Sequence, residues 1–386
     1  MHTRLLITSL LIFSLFHACS SSDPKEKDSS FHTYSVNLSG TEKHFFEQIE
    51  SLSLTVLEET DSSLFGTISN IELHGSSLYV VEGKQRRLFQ FSNQGKFLAL
   101  LNSVGEGPNE YLRITDLSIK EGKITILDQP RQRVSFWTQN LQFIDSEKLG
   151  FSANNFQVLN DGTYLFDNSY ILPNDTTFSS LIVTNHDFSI QRGLIPFSHE
   201  RQLGFANNSI QQLDEGYYYR PIYNDTVYFI SQQTSTQPLF KLDFGEFWRL
   251  SNEFKTDNEL FQAYREEGVL KKDMVFWLYT WVNKDRVFLR TILFPSYTTI
   301  GTLIDRETGK SINLDLSVGG DPRAALRLLE FNLEGKNYME LLPSQLEELL
   351  EYIPEEEIRI VGGKTLKDAL NNENPGLLSF TFKGFD

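Results

Sequence analysis

The sequence predicts an all-β protein, a six-bladed β-propeller of four-stranded antiparallel blades, and three observations predict it. Pairs of short apolar strands recur at a fixed interval: strands opening at Leu88, Val134, Leu181 and Val227 lie 46, 47 and 46 residues apart, the span of one four-stranded blade. Within each copy apolar and polar residues alternate, which is the period of a half-buried strand. The composition agrees, with 31 Phe and 15 Tyr against 3 Met, because aromatic side chains suit a pleated surface. A chain of 386 residues, 40% of them hydrophobic, is long enough for one large ring with a substantial core.

The chain opens on a segment unlike the rest. Arg4 is followed by an apolar run from Leu5 to Phe16, and Ala18 precedes Cys19, the only cysteine. The run is shorter than the roughly 20 residues that cross a bilayer and fits the apolar region of a secretory signal. A cysteine directly after a small residue at the end of such a run resembles a bacterial lipoprotein signal, in which that cysteine becomes the lipidated N-terminus. Phe16-His17-Ala18-Cys19 departs from the pattern in having Phe where Leu is commoner and His where a small residue is usual. Residues 1–18 are expected to be a signal peptide and Cys19 the lipidation site. A single cysteine also excludes an intramolecular disulfide. Ser20 to Ser30 is polar, rich in Ser and free of aromatics, so residues 19–32 read as a flexible tether and residues 33–386 as the propeller domain.

The formal charge is −16, and loss of the leader leaves 34 basic against 51 acidic residues, or −17. Such a surface repels nucleic acid and anionic lipid headgroups. A mean hydropathy of −0.30 argues against a multi-span membrane protein.

Taken in order, the repeat reads as follows. Leu78–Val81 leads to Arg87–Phe97, Ile124–Leu127 to Val134–Leu141, Tyr164–Phe166 to Leu181–Phe188, and Tyr217–Tyr219 to Val227–Ile230. Asn160-Asp161-Gly162 is a hairpin signal. A fifth copy, Val287–Leu289 with Thr302–Lys310, is displaced: Leu303 follows Val227 by 76 residues. The excess is assigned to about 250–272, where Leu260, Phe261, Tyr264 and Val269 form a sparse apolar stripe expected to be helical. A sixth copy begins near Phe331 and is interrupted by a helix over 343–353, with Ser344 as its cap, Glu347 three residues on, and Leu346, Leu349, Leu350 and Ile353 on one face. The last strand is Leu377–Phe382. Closure is assigned to Leu52–Leu57, whose strict alternation makes it the partner of the C-terminal blade and removes an exposed edge.

Two stretches are candidate binding elements. In Gly105-Glu106-Gly107-Pro108-Asn109-Glu110-Tyr111, Gly105, Gly107 and Pro108 are structural positions, with a positive φ at Gly107 as one reason for glycine. Glu110 and Tyr111 are candidates to reach a ligand at one mouth of the central channel. The packing alternative has Tyr111 between blades and Glu110 satisfying loop amides. In Phe276–Trp281, alternate residues Trp277, Tyr279 and Trp281 share one strand face and could stack on sugar rings, or could form core between blades. Tyr217-Tyr218-Tyr219-Arg220 carries the same ambiguity.

No catalytic residue and no cofactor are nominated. The seven histidines, His2, His17, His32, His44, His74, His186 and His199, form no metal-ligand spacing, and no ligand is assigned to any central-channel metal ion. Nucleophile-elbow, Walker, dinucleotide and calcium-loop patterns are absent.

With the leader, the repeat and the Gly-rich loop in hand, the sequence resembles the six-bladed β-propeller lipoproteins of Bacteroidota, a TolB-like and NHL-like group of largely undefined function. The resemblance rests on Phe91-Ser92-Asn93-Gln94-Gly95-Lys96-Phe97, the Gly105–Tyr111 loop, Asn224-Asp225-Thr226-Val227-Tyr228, Pro238–Gly245 and Asn374-Pro375-Gly376-Leu377-Leu378, and it covers the chain from about Leu52 onwards. It implies a lipid-anchored protein of the cell envelope, with the outer membrane as its site and its periplasmic or surface face open. The function expected is binding of a glycan, peptide or protein partner. The alternatives are a lyase or hydrolase at the central channel, and a structural subunit of an outer-membrane complex. An exposed apolar stripe on Leu346, Leu349 and Leu350 would mark the last of these.

Overall fold

Alternation within each strand decides which neighbour each side chain meets. In Ser77–Glu82, Leu78 and Val80 pack to one side while Tyr79 and Val81 pack to the other. Repeated around a ring, that pattern buries both faces of every sheet. The computed structural model of the chain describes residues 31–385 apart from 41, 84–85, 169–170, 172–177, 198–209, 214, 223, 250–253, 255, 257, 260–261, 264–265 and 267–271. The signal peptide, Cys19 and nearly all of the tether lie outside the described residues. So does most of 250–272, of which 258–259 and 262–263 are helical.

Residues 32–386 form one unit of six blade sheets and a two-stranded hairpin. In chain order, β1 (His32–Ser35), β2 (Glu42–His44) and β3 (Ile49–Thr55) precede the blades. Blade 1 is β4 (Ile68–His74), β5 (Ser77–Glu82), β6 (Leu88–Ser92) and β7 (Phe97–Leu101). Blade 2 is β8 (Asp116–Lys120), β9 (Lys123–Asp128), β10 (Arg133–Thr138) and β11 (Phe143–Lys148). Blade 3 is β12 (Asn155–Val158), β13 (Tyr164–Asp167), β14 (Ser179–Thr184) and β15 (Ile190–Pro196). Blade 4 comprises β16 (Ile210–Leu213), β17 (Gly216–Tyr219), β18 (Thr226–Ser231) and β19 (Thr236–Asp243). Blade 5 comprises β20 (Met274–Val282), β21 (Arg286–Phe294), β22 (Thr299–Asp305) and β23 (Ser311–Asp315). A short hairpin, β24 (Ser317–Val318) and β25 (Asp321–Ala325), leads to β26 (Leu328–Leu333) and β27 (Lys336–Leu341). β28 (Arg359–Val361) and β29 (Gly376–Phe382) follow, and blade 6 runs β26-β27-β29-β3-β28.

The strand that closes the ring is the one the alternation pointed to. β3 pairs antiparallel with β29, Leu54 opposite Leu378 and Leu52 opposite Phe380. The 46-residue interval therefore marks a true blade repeat, but the strands it was read from are the second and third of four. Leu88, Val134, Leu181 and Val227 fall in β6, β10, β14 and β18.

Three blades are larger than expected. β1 adds parallel to the outer strand β19, β2 parallel to β23, and β28 parallel to β3. Blades 4, 5 and 6 thus carry a fifth strand, and two of these come from one stretch of chain that crosses blades 4 and 5 before closing blade 6.

Six apolar clusters fill the six spaces between neighbouring blades. The largest lies between blades 5 and 6 and takes in the helix Pro343–Tyr352. That helix is capped differently from the sequence reading. Leu342, not Ser344, is the N-cap, Pro343 fills the first turn where no N–H is needed, and the Gln345 side chain accepts from the Leu342 N–H at 2.8 Å. Its stripe is turned inward: Leu346, Leu349 and Ile353 are buried and Leu350 packs beside them. The exposed docking stripe that would have marked a structural subunit is not there.

Candidate functional site

The Gly-rich loop joins blade 1 to blade 2, and it is built around a cation that no local pattern connects with it. Arg131, in the turn after β9, sends Nη1 to the carbonyls of Glu110 (2.6 Å), Gly107 (3.2 Å) and Gly105 (3.4 Å), and Nη2 to Glu106 (3.2 Å). Asp128, at the end of β9, accepts from the N–H groups of Leu112 and Arg113 at 2.9 and 3.3 Å. Glu110 folds back so that Oε2 accepts from Gly107 N–H at 2.6 Å. A Cβ on Gly105 would meet that oxygen at 2.1 Å, and one on Gly107 at 2.9 Å. Neither glycine has a positive φ, so the requirement is room for the Glu110 carboxylate rather than left-handed backbone, a correction to the sequence reading.

Tyr111 is 1% exposed. Its hydroxyl donates to the carbonyls of Arg86 (2.9 Å) and Leu101 (3.2 Å), and burial holds its pKa above the ordinary tyrosine value. Its ring packs in the cluster between blades 1 and 2. At this loop Glu106, Pro108, Asn109 and Glu110 are open to solvent.

The aromatic patch lies on β20. Trp277, Tyr279 and Trp281 face blade 6, opposite Ile292, Arg290 and Phe288 of β21. Trp281 is buried, while Trp277 and Tyr279 are half-buried. The Tyr279 and Trp281 rings stack at 6.1 Å. Of the Tyr217–Arg220 run, Tyr217 and Tyr219 are core between blades 3 and 4. Arg220 holds the carbonyls of Pro221, Ile222, Asn224 and Leu278.

The first strand of each blade is the innermost. β4 approaches β8, β8 approaches β12, and β26 approaches both β4 and β20. Gln211 of β16 reaches β20, accepting from Val282 N–H at 2.8 Å. Three carboxylates converge on this axis: Glu72 from β4, Asp116 from β8 and Glu330 from β26. Asp116 is embedded, accepting from Asn70 Nδ2 (3.4 Å), Asn155 Nδ2 (2.8 Å) and Phe156 N–H (2.9 Å). No hydrogen bond from a described residue reaches Glu72 or Glu330. Both keep some accessible surface although protein surrounds them, as befits side chains lining a narrow channel.

Desolvation raises all three pKa values, and mutual repulsion adds to it for Glu72 and Glu330. Glu72 is raised well above the ordinary carboxylate value. Asp116 is raised to about 7 and Glu330 to about 8. For Asp116, burial outweighs the two backbone N–H groups that pull the other way. Near neutral pH this arc holds protons and can donate hydrogen bonds as well as accept them. Among the described residues no three His, Cys, Asp or Glu are arranged to hold a metal ion.

These carboxylates were missed at the sequence level, although they leave a trace there. Glu72 stands between Ile71 and Leu73, and Glu330 between Leu329 and Phe331. A charge placed between apolar neighbours in a strand is the signal that was available.

The chain belongs to the DUF4934 family, described as a domain of unknown function, whose pattern it matches over residues 33–375. No curated protein matches it. Among solved structures it is similar to a protein of Bacteroides fragilis NCTC 9343 described as exported, with 16% identity over 92% of this chain and all of that one, at a TM-score of 0.72. It is also similar to a member of the duf4221 family from Bacteroides vulgatus, with 10% identity over 87% of this chain and 97% of that one, at a TM-score of 0.50. An extracellular domain from B. thetaiotaomicron aligns at 12% identity over 71% of this chain and 34% of that one, with a TM-score of 0.38. At these identities the first two likenesses carry the fold alone, and the third carries no argument.

Proposed function

We propose that this protein is a lipid-anchored, non-catalytic binding protein of the cell envelope, TolB-like in architecture, which takes a glycan, peptide or protein ligand at the axial channel. The anchoring part rests on the leader and on Cys19. Residues 20–31 between that cysteine and β1 span at most about 40 Å when extended, which keeps the ring close to the membrane that holds the lipid. Cys19→Ala is expected to move the protein from the membrane fraction to the soluble one, and unchanged retention would sink the lipid anchor.

One observation supports the axial site. Glu72 and Glu330 line the channel half-buried, with raised pKa values and with no hydrogen bond from a described residue, a placement that a purely structural axis has no reason to keep. Acids with strongly shifted pKa values grouped in one channel mark the place where a ligand can complete the hydrogen bonding. An array of glycans and peptides probed with residues 20–386 tests this, beside the Glu72→Gln, Glu330→Gln double variant. The expected result is binding to one ligand class that the double variant loses while its circular dichroism is unchanged. Binding that ignores the double substitution would place the ligand elsewhere.

The lyase or hydrolase reading draws on the same geometry, because an acid near pKa 7 such as Asp116 is poised for proton transfer. Turnover of the bound ligand, lost in Asp116→Asn, would favour it over simple binding.

A further inference from the structure

On the second strand of blade 5 stands a cation that forms no ion pair with any described residue. Arg290 of β21 lies directly across from Tyr279 of β20, its guanidinium carbon 5.4 Å from the centre of that ring. Its Nε is buried and has no hydrogen-bond partner. Burial depresses its pKa, the Tyr279 hydroxyl acts the other way, and the neighbouring cation Arg327 adds to the depression. Arg327 itself is engaged, donating from Nη2 to the carbonyl of Ile68 at 3.1 Å and standing near Glu340. Two residues along β20 from Tyr279, the indole N–H of Trp281 is also buried and unpartnered, in a side chain only 4% exposed. Two orphaned donors therefore share one face of the blade 5 sheet, beside the half-buried ring of Tyr279, with a second cation close by just before β26.

A buried guanidinium is ordinarily neutralised by a carboxylate, because leaving it unpaired forfeits its solvation without return. Its planar fork accepts a carboxylate through two parallel hydrogen bonds. No carboxylate among the described residues forms an ion pair with it. The missing partner is thus an anion from outside the chain, and the aromatic rings beside it suit the apolar face of a sugar.

We infer that Arg290, beside the half-buried Tyr279 ring and with Arg327 behind, receives the carboxylate of an acidic sugar. The inference rests on the axial-binding reading and names its ligand class. Arg290 grips the carboxylate, and the Tyr279 ring flanks the sugar.

The test is a thermal-shift titration of the mature chain with sodium glucuronate, run against glucose, trialanine and sodium chloride at matched ionic strength. Glucuronate is expected to raise the melting temperature of the wild-type protein while glucose and chloride do not. Arg290→Gln should weaken glucuronate at least tenfold and leave the ligand-free melting temperature equal or higher, since an unpaired buried cation has been removed. Tyr279→Leu should weaken binding less, since it removes the flanking ring and keeps the guanidinium. Three outcomes overturn the inference: no shift with glucuronate, an equal shift in Arg290→Gln, or a marked loss of ligand-free stability in that variant, which would reveal an internal partner. A shift with trialanine but not glucuronate also overturns it in favour of a peptide carboxylate. If neutral sugars bind, indifferent to Arg290→Gln but lost in the Glu72→Gln, Glu330→Gln variant, the axial site stands and the acidic-sugar assignment alone falls.

Discussion

Removing the Arg131 guanidinium is the most direct test of how the loop between blades 1 and 2 is held. Of its four carbonyl contacts only the one to Glu110, at 2.6 Å, is short; the other three lie at 3.2 to 3.4 Å. Three of them share Nη1, whose two N–H groups cannot serve three acceptors well. The clamp therefore amounts to one strong charge-assisted bond and a remainder, in a loop that water reaches, or about 2 kcal/mol rather than four full bonds. In Arg131→Met that free energy should appear as local opening. The reporters are the amides of Tyr111 and Gly105, which donate to Ser103 O and Tyr111 O, both at 3.0 Å. Tenfold in an equilibrium is 1.4 kcal/mol, so native-state hydrogen exchange at both amides should quicken by about 30-fold. Arg131→Lys keeps the charge but not the fork and should recover less than half of the protection. Exchange within a factor of two of wild type in Arg131→Met would refute the clamp and return the loop's rigidity to Asp128 and Glu110 alone.

Further outcomes follow from the same geometry. Asp116 and Glu330 titrate at about 7 and about 8 in the folded protein against ordinary values of 3.8 and 4.5. Between about pH 4 and pH 8 the folded state holds protons that the unfolded chain has released, so stability falls as pH rises across that window; urea unfolding at pH 5 and pH 8 should show the fall, flattened in Glu330→Gln, and an equal slope in both proteins would contradict it. Asn374 is buried, donating to the carbonyls of Glu58 (3.2 Å) and Ser63 (2.9 Å) and accepting from Phe65 N–H (2.9 Å), so Asn374→Ala should cost about 3 kcal/mol in urea titration; a cost under about 1 kcal/mol would mean water replaces it. Gly95 has φ +79 and a Cβ there would lie 2.2 Å from Val56 O, so Gly95→Ala should destabilise by at least about 2 kcal/mol, more than Gly75→Ala, which meets the same backbone strain at φ +61 but no atom within 4 Å. Deleting residues 1–44 removes β1 and β2 but spares the closing strand; the ring should still melt cooperatively while light scattering reports association through the bared edges of β19 and β23, and loss of folding would show that the added strands are required.

What the sequence disclosed, and what it hid, follows from where each strand sits in a blade. Second and third strands are covered on both faces and bonded on both sides, so they keep dense apolar alternation; β5 and β9 end in runs that are buried throughout. First strands line the channel and carry Asn70, Glu72, Asp116, Asn155 and Gln211, which break the pattern. Outer strands such as β11, Phe-Ile-Asp-Ser-Glu-Lys, are mostly exposed and read as polar connections. β1 and β2 have four and three residues, too few for a periodic signal, and only tertiary pairing makes them strands. The Gly-rich loop was legible as a shape but not as a mechanism. Its glycines are required by Glu110, and its carbonyls by an arginine more than twenty residues further on, which no local pattern announces. The unpaired state of Arg290 was equally hidden, because a strand position tells which face a charge is on and not whether anything meets it.

The ring's asymmetry bears on where a ligand site can be tolerated. An unneutralised charge in an interface between blades weakens that interface, so it belongs where the rest of the packing is strongest. The space between blades 5 and 6 holds the largest apolar cluster, joined by the helix Pro343–Tyr352 and by Phe45 and Phe46 of the incoming chain. The longest strand pair, β20 with β21 at nine residues each, forms one of its walls. β2 and β28 cover the outer edges of the two blades that flank it. Outer strands β7, β11 and β15 of blades 1 to 3 carry no such addition among the described residues. In a closed ring, moreover, one interface cannot part without straining its neighbours, and the closing strand β3 lies in blade 6 itself. The added strands and the closure thus reinforce the half of the ring that carries Arg290, and the cost of keeping a guanidinium open for a ligand falls where the fold can best absorb it.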